Sequence, residues 1–274
     1  MTQPALSVED LSVEIAGRDS VSTVLTGVGL TLERGRMHGL VGETGSGKSM
    51  TARSIIRLLP PGGRVTSGSV RLGKRQLLTL DPKEMREVRG VSIGMVFQNP
   101  RTALYPMTTV EAQMGNVLKA HLDLDRAERA ARIRERLRLV GIDDEDRIAR
   151  SYPHELSGGL AQRAVIATAL LCDPEVLIAD EPTTGLDATI QRQILELIAF
   201  LQSELSLSVL IITHDLGIIA QYCGTVSVMH DGRVVEDGDM RQVLLSPQHD
   251  YTKRLITASD LRELHGERVA GADR

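Results

Sequence analysis

The chain lacks tryptophan, has few other aromatic residues and contains only two cysteines. Among its 274 residues are two Phe and four Tyr, and Cys172 and Cys223 stand alone rather than in a CxxC pair or a disulfide framework. Isolated thiols of this kind are typical of a reducing cytosol, and we expect both to be free and buried. The length suffices for one large α/β domain or two closely packed lobes.

Long apolar segments and a basic excess are also absent from the sequence. No run approaches the ~20 consecutive apolar residues that a membrane span requires, and the first residues do not combine a basic region with an apolar stretch, as an export signal would. The formal net charge is -4 at pH 7, whereas a nucleic-acid-binding protein usually carries a basic patch or stripe. We therefore expect no nucleic acid as a partner, and we expect a protein partner to hold the chain at any membrane where it works.

The pattern of apolar residues predicts an α/β protein. Residues 6–15 and 22–35 alternate apolar with polar side chains, as half-exposed antiparallel strands do, and the MHGLV run at 37–41 suits a strand covered on both faces. A helix is predicted from Ser49 to Leu59, where two prolines and two glycines follow. Further predicted strands cover residues 68–73, 92–97, 176–180, 208–213 and 225–238.

Residues 108–150 have a helical pattern instead. Apolar residues form one helical stripe, namely Ala130, Ile133, Leu137 and Val140. Charges of both signs cover the other face, which favours an ordinary solvated surface over a nucleic-acid or membrane contact. We predict a single domain over residues 1–258. Its parts are an α/β core with an antiparallel β subdomain (1–107 and 151–258), an inserted helical subdomain (108–150) and a polar tail (259–274).

Residues 42–49, here called the phosphate loop, read GETGSGKS and match G-x-x-x-x-G-K-[ST] in full between a predicted strand and a predicted helix. Glycines let the backbone N–H groups turn toward a phosphate, and the helix start adds its positive end. A plain Gly-rich turn is the alternative, but a chance match in a chain of this length is about a one-in-a-hundred event. Lys48 would reach the β- and γ-phosphates, and the Ser49 hydroxyl would ligate Mg²⁺. The predicted nucleotide-binding residues here are Gly42, Glu43, Thr44, Gly45, Ser46, Gly47, Lys48, Ser49 and Met50.

Two acids follow the apolar run VLIA at 176–179. Asp180 ends this predicted strand at its carboxyl end, where open α/β sheets bind ligands, so it is placed to hold Mg²⁺ through the water shell of the ion. Glu181 comes next and would orient or deprotonate the water that attacks the γ-phosphate. Adjacent acids are more often a solvated strand end, but the preceding strand and the following Pro182 favour catalysis.

The octet LSGGLAQR at 156–163 begins another predicted helix. Ser157 has the chemistry of an N-cap, and Gly158 and Gly159 follow it. A capped helix start with bare glycine N–H groups is also an anion site. We call Ser157, Gly158 and Gly159 the signature turn.

The phosphate loop, signature turn and acidic strand, in this order, resemble the nucleotide-binding subunit of an ABC transporter over residues 6–258. The resemblance implies a P-loop NTPase of ABC type. Its core is a RecA-like, mostly parallel sheet, with an antiparallel β subdomain and an inserted helical subdomain. It also implies ATP and Mg²⁺ as cofactors. Gln98, after the predicted strand at 92–97, resembles the Q-loop glutamine that touches Mg²⁺ or the water, and His214, after 208–213, resembles the switch histidine at the γ-phosphate. Because parallel strands deliver their ends to one edge, we expect Gln98, Asp180, Glu181 and His214 to converge on the nucleotide.

The resemblance further implies an assembly of several chains. The signature turn would close over the γ-phosphate held by the phosphate loop of a second, identical or sister ATPase subunit, and Asp187 resembles the D-loop aspartate that crosses between the two. Segments 97–110, 151–159 and 246–256 look like those of peptide and nickel importers. Such cassettes work with two membrane permeases and an extracytoplasmic binding protein, at the cytoplasmic face of the inner membrane. The permease would dock on the segment that contains Arg101 and Tyr105.

One departure and several alternatives accompany this interpretation. The family usually has an aromatic residue near Ile15 to stack on adenine, and this chain has an aliphatic one. Peptide import is the leading function, and import of nickel or metal chelates is the alternative. A non-transport ABC ATPase is less favoured because the sequence has no long coiled coil, zinc cysteines or second cassette. The sequence does not contain the NKxD motif that would indicate a GTPase. Glu181, His214 and Ser157 are all present, which argues against an inert regulatory cassette.

Overall fold

The computed structural model describes residues 3–17, 20–99 and 103–259, and the chain divides into two compact units. The first unit comprises Met1–Leu78 and Leu210–Arg274, and the second comprises Thr79–Val209. In chain order the strands are β1 (Leu6–Ala16), β2 (Val21–Leu32), β3 (Met37–Val41), β4 (Gly63–Leu72), β5 (Arg75–Gln76), β6 (Ile93–Val96), β7 (Val176–Asp180), β8 (Ser208–Thr213), β9 (Thr225–His230) and β10 (Arg233–Asp239).

The helices that the structure describes lie between these strands or, in the case of the last two, after β10, which fits the predicted α/β class. They are α1 (Lys48–Ile55), α2 (Pro82–Val88), α3 (Val110–His121), α4 (Arg126–Leu139), α5 (Glu145–Arg150), α6 (Gly158–Ala169), α7 (Ala188–Leu205), α8 (Leu216–Tyr222), α9 (Met240–Leu245) and α10 (Asp250–Ala258), with a 3₁₀ turn at Pro153–Glu155. In residues 3–17, 20–99 and 103–259, no helix is both long enough and apolar enough to span a membrane.

An antiparallel sheet in the first unit has the strand order β2-β1-β4-β5. Alternate residues of β1 are buried, and Leu6, Leu11 and Val13 have no exposed surface. Each such side chain contributes about 1.5–3 kcal/mol on burial. Asp10 interrupts the alternation with a positive φ of 51°, and the pairing with both neighbours shifts register there. The predicted half-exposed antiparallel strands are therefore confirmed.

The phosphate loop follows a fully buried strand of the first unit. Every residue of β3 is buried, as predicted for a strand covered on both faces, and β3 pairs in parallel with β9. On its other side β3 neighbours β8, and β10 pairs antiparallel with β9. The chain then runs from β3 through residues 42–47 directly into α1.

Helix α1 is shorter than predicted. It ends at Ile55 rather than Leu59, because Arg57 adopts a positive φ of 54°. The N–H of Leu58 then bonds the carbonyl of Arg53 at 2.8 Å, which is the pairing of a Schellman turn. The sequence gives no strong signal for a left-handed residue other than Gly or Asn. The helix was therefore predicted to continue to the residue before the prolines, which is wrong.

In the second unit, β6 pairs in parallel with β7, and every residue of β7 is buried. Helices α3, α4 and α5 lie within the predicted helical subdomain, 108–150. In the predicted stripe Ile133, Leu137 and Val140 are buried, and a capping box of Asp125 and Glu128 begins α4. The division into a core and an inserted subdomain stays a prediction.

Both cysteines are free and buried, as predicted. Burial raises the pKa of the Cys223 thiol to about 12 and also raises the pKa of Cys172. Neither thiol is therefore a reactive thiolate at neutral pH.

Candidate functional site

The phosphate loop has the backbone conformation that its glycines make possible. Gly45 and Gly47 have φ values of 88° and 107°, in the region that favours glycine. A Cβ atom at Gly42 would lie only 2.1 Å from the carbonyl oxygen of Met229. Because that contact is with backbone, it could not be relieved by a side-chain rotation. The loop is thus seated directly on the end of β9 in the first unit.

Lys48 folds back over its own loop. The side chain is buried, and its ammonium donates to the carbonyl oxygens of Gly42 at 2.7 Å and Glu43 at 2.8 Å. The carbonyl of Ser46 accepts from the N–H of Gly232 at 2.9 Å, which ties the loop to the β9–β10 turn. The Ser46 hydroxyl is buried and has no hydrogen-bond partner among the described residues. A buried ammonium and an unsatisfied buried hydroxyl in the same loop suit an anionic ligand such as phosphate.

Glu181 is held by two side chains of the second unit. Its Oε2 accepts a hydrogen bond from Gln98 Nε2 at 2.7 Å and another from Thr184 Oγ1 at 2.9 Å. Its backbone has a positive φ of 46°, and its carbonyl accepts from the N–H of Thr184 at 3.2 Å. Asp180, at the end of β7, is buried. The structure therefore brings two predicted residues together, Gln98 and Glu181, and adds Thr184.

Sequence reasoning missed Thr184, although a signal was present. A threonine three residues after an acid can close a turn with its N–H and reach the carboxylate with its hydroxyl. That pairing depends on the left-handed backbone of Glu181, which a sequence does not reveal.

The signature turn begins α6 as predicted. Ser157 is exposed and caps the helix by accepting a hydrogen bond from the N–H of Leu160 at 3.3 Å. A Cβ atom at Gly158 would lie 2.9 Å from Leu186, and one at Gly159 would lie 3.0 Å from Ile190. The glycines therefore allow close approach to the start of α7, in addition to offering bare N–H groups.

Asp187 lies at that same start, where it is the N-cap of α7. Its Oδ1 accepts from the N–H groups of Thr189 at 3.1 Å and Ile190 at 3.0 Å. The carboxylate thus has a local structural role. Its predicted role between subunits stays a prediction.

The other residues singled out in the sequence are His214, Tyr105, Arg101 and Ile15. His214 is exposed directly after β8, in the first unit with the phosphate loop, and Asp215 caps α8 beside it. Tyr105 is exposed, whereas Arg101 lies outside the described residues. Ile15 lies on β1, where it pairs with Ser22 of β2 and with Gly63 of β4.

Comparisons with known proteins agree with these features. Residues 25–184 match the ABC transporter family. A probable peptide ABC transporter ATP-binding protein of Sinorhizobium fredii is 47% identical over 254 residues, which are 92% of this chain and 76% of that protein. The dipeptide transport ATP-binding protein of Bacillus subtilis is 42% identical over 272 residues, 99% of this chain and 81% of that protein.

Two solved structures are similar to this chain. A dimeric ATP-binding cassette in a post-hydrolysis state, bound to ADP and Pi, has a TM-score of 0.76 and 27% identity, covering 86% of this chain and 99% of that one. A structure of cbiO1 from Clostridium perfringens, part of the ABC transporter complex cbiONQ, has a TM-score of 0.77 and 28% identity, covering 98% of this chain and 100% of that one.

Proposed function

Because the chain belongs to the ABC transporter family of ATP-binding proteins, we propose that it hydrolyses ATP to energise a peptide importer. The observation that carries the proposal is the complete phosphate loop, with left-handed Gly45 and Gly47 and the buried ammonium of Lys48. Peptides are the proposed cargo, in preference to nickel complexes, because both relatives reported above are named for peptide or dipeptide transport.

In this proposal the loop holds the triphosphate. Backbone N–H groups of residues 45–49 and the start of α1 supply donors and positive potential, and the Lys48 ammonium exchanges its two carbonyl contacts for β- and γ-phosphate oxygens. Ser49, Gln98 and Asp180 offer oxygen ligands, the type that Mg²⁺ prefers, and the bound ion would neutralise charge on the transferring phosphoryl group.

Hydrolysis is assigned to Glu181. Its carboxylate would orient a water molecule and take its proton as the water oxygen attacks the γ-phosphorus. The bond from the γ-phosphorus to the bridging oxygen then breaks, and ADP and phosphate leave. Gln98 and Thr184 position the carboxylate through their hydrogen bonds to Oε2. His214 would hydrogen-bond the γ-phosphate.

The proposed assembly contains a second ATPase subunit, which is an identical or a sister chain. The signature turn of this chain would cover the ATP that the phosphate loop of the second subunit holds. Exposure of Ser157 and Asp187 and the dimeric state of the ADP-bound cassette support this arrangement. We further propose two permeases and an extracytoplasmic peptide-binding protein as partners, at the cytoplasmic face of the cell membrane.

The test measures nucleotide binding and phosphate release by the purified chain with MgATP, alone and reconstituted with its permeases. Glu181→Gln should keep ATP binding and lower hydrolysis by about 10²–10⁴-fold, the contribution expected of a general base. Lys48→Ala should lose binding itself. The matched control is Glu196→Gln, at an exposed carboxylate on α7, which should leave both activities unchanged. Wild-type protein that does not bind ATP would refute the proposal.

A further inference from the structure

Residues 246–251 read SPQHDY and lead into α10. None of them takes part in the proposed reaction. The structure ties it to β10. The carboxylate of Glu236 accepts hydrogen bonds from the backbone N–H groups of Gln248 at 2.8 Å and His249 at 3.0 Å. His249 in turn caps α10, because its Nδ1 accepts from the N–H of Tyr251 at 3.1 Å. The first turn of α10 is therefore anchored to the sheet through one carboxylate.

This anchor points the ring of Tyr251 inward. The side chain is 2% exposed and stacks on the ring of His230, with the ring centres 3.9 Å apart and the planes 19° from parallel. His230 ends β9 and follows Met229, whose carbonyl oxygen leaves no room for a Cβ atom at Gly42. The tyrosine hydroxyl thereby reaches the beginning of the phosphate loop.

The hydroxyl meets a particular peptide group. Tyr251 Oη accepts a hydrogen bond from the N–H of Glu43 at 3.0 Å. The Gly42 carbonyl, which accepts from the Lys48 ammonium at 2.7 Å, belongs to the same planar peptide unit as that N–H. Tyr251 and Lys48 thus hold the two ends of one peptide group, and rotation of that group would break both hydrogen bonds.

We propose that Tyr251 is a positioning residue of the nucleotide site, which fixes the Gly42–Glu43 peptide and thereby the geometry in which Lys48 and the loop amides receive the phosphates. The inference rests on the proposed ATPase function. Burial raises the pKa of the Tyr251 phenol, so the side chain stays neutral near pH 7 and does not bring a negative charge to the phosphates. Through Glu236, the anchored α10 and Tyr251, the C-terminal segment becomes part of the phosphate-binding apparatus.

The test is Tyr251→Phe, which keeps the ring stack and removes the hydroxyl. Loss of one hydrogen bond corresponds to about a fivefold change in an equilibrium constant. We expect the Kd for MgATP, and the KM of the reconstituted transporter for ATP, to rise about fivefold, while kcat stays within about twofold. Hydrogen exchange in the nucleotide-free chain should accelerate at the Glu43 amide.

Two further variants make the outcome decisive. Tyr222→Phe, at a half-buried tyrosine of the same unit, is the control and should change neither affinity nor exchange. Glu236→Gln leaves the Tyr251 hydroxyl in place but weakens its anchor, so it should raise Kd in the same direction and serves if Tyr251→Phe does not fold. If wild type binds ATP and both variants bind it equally well, the inference is wrong. If wild type does not bind ATP, the function fails first, and the exchange measurement still reports on the hydrogen bond.

Discussion

At the scale of single residues, Glu181 combines an unfavourable backbone with a well-supported side chain. A non-glycine residue at a φ of 46° is strained by about 1–3 kcal/mol. Local structure compensates through the Thr184 N–H on its carbonyl and through two donors on Oε2. Strain that is held in place in this way fixes the direction of the carboxylate, as the proposed role of Glu181 as a general base requires.

Removing one of these donors should therefore slow catalysis without weakening binding. Thr184→Val keeps the shape of the side chain and deletes the hydroxyl. Because a hydrogen bond to a charged group is worth about 1.5–3 kcal/mol, kcat should fall by at least about tenfold, with KM for ATP unchanged. Steady-state kinetics measure both, and Thr184→Ser should restore the rate. An unchanged kcat in the valine variant would show that Gln98 alone positions the carboxylate.

At the scale of elements, a polar network joins β3, β9 and β10, with His38 and Ser227 buried and Thr225 and Asp237 exposed. His38 lies on β3, with Nδ1 2.8 Å from Thr225 Oγ1 and Nε2 2.8 Å from Ser227 Oγ, both on β9. The Ser227 hydroxyl donates to Asp237 on β10. Because that hydroxyl has one hydrogen, its oxygen can only accept from His38, so Nε2 carries a hydrogen. Burial lowers the pKa of His38, and the nearby Asp237 opposes that shift only in part.

This network predicts a loss of stability in mild acid. Unfolded histidine binds a proton near pH 6.5, whereas folded His38 does so only at lower pH. As the pH falls below about 6.5, the unfolded chain takes up a proton that the folded chain does not, so the free energy of unfolding decreases until the lowered pKa is reached.

Urea unfolding at pH 7.5 and pH 5.5 measures the effect. His38→Gln should be less stable than wild type at pH 7.5 but should lose less stability on acidification. His154→Gln, at an exposed histidine, should keep the wild-type pH dependence. Equal losses in wild type and His38→Gln would assign the acid sensitivity to other groups.

At the scale of the whole molecule, the signature turn, in which Ser157 is exposed, is the part of the chain on which the proposed assembly with a second subunit depends. Ser157 caps α6, and Leu186 and Ile190 lie so close to Gly158 and Gly159 that a Cβ atom at either glycine would crowd them. Backbone donors at a capped helix start suit an anion, and in the proposed assembly the second subunit brings that anion.

Bulk at this turn should prevent association of two subunits on ATP. In a Glu181→Gln background, Ser157→Arg should abolish ATP-dependent dimerisation, measured by light scattering, while each monomer still binds ATP. Ser157→Ala is the matched control. It should cost about 1 kcal/mol of stability through the lost cap but should still dimerise. A dimer that forms despite the arginine would refute the sandwich arrangement.

Sequence reasoning predicted the fold class, most of the strands, the helix cap at Ser157 and the buried thiols, but it missed β5 and gave β9 and β10 as one strand region. These features depend on local rules, namely the period of the apolar residues, the preference of Ser for an N-cap and the absence of cysteine pairs. The end of α1 was predicted wrongly because a left-handed Arg57 does not differ in sequence from a helical arginine.

By itself, the sequence determined that this chain has a phosphate loop after a buried strand and an acidic pair after another, because glycine conformation and side-chain chemistry are properties of residues and their neighbours. Only the tertiary structure decided which groups support that chemistry. Thr184 and Gln98 share one oxygen of Glu181, and Tyr251 reaches a peptide 208 residues earlier in the chain. Such contacts depend on strand order and backbone twist over the whole domain, which no local pattern in the sequence encodes.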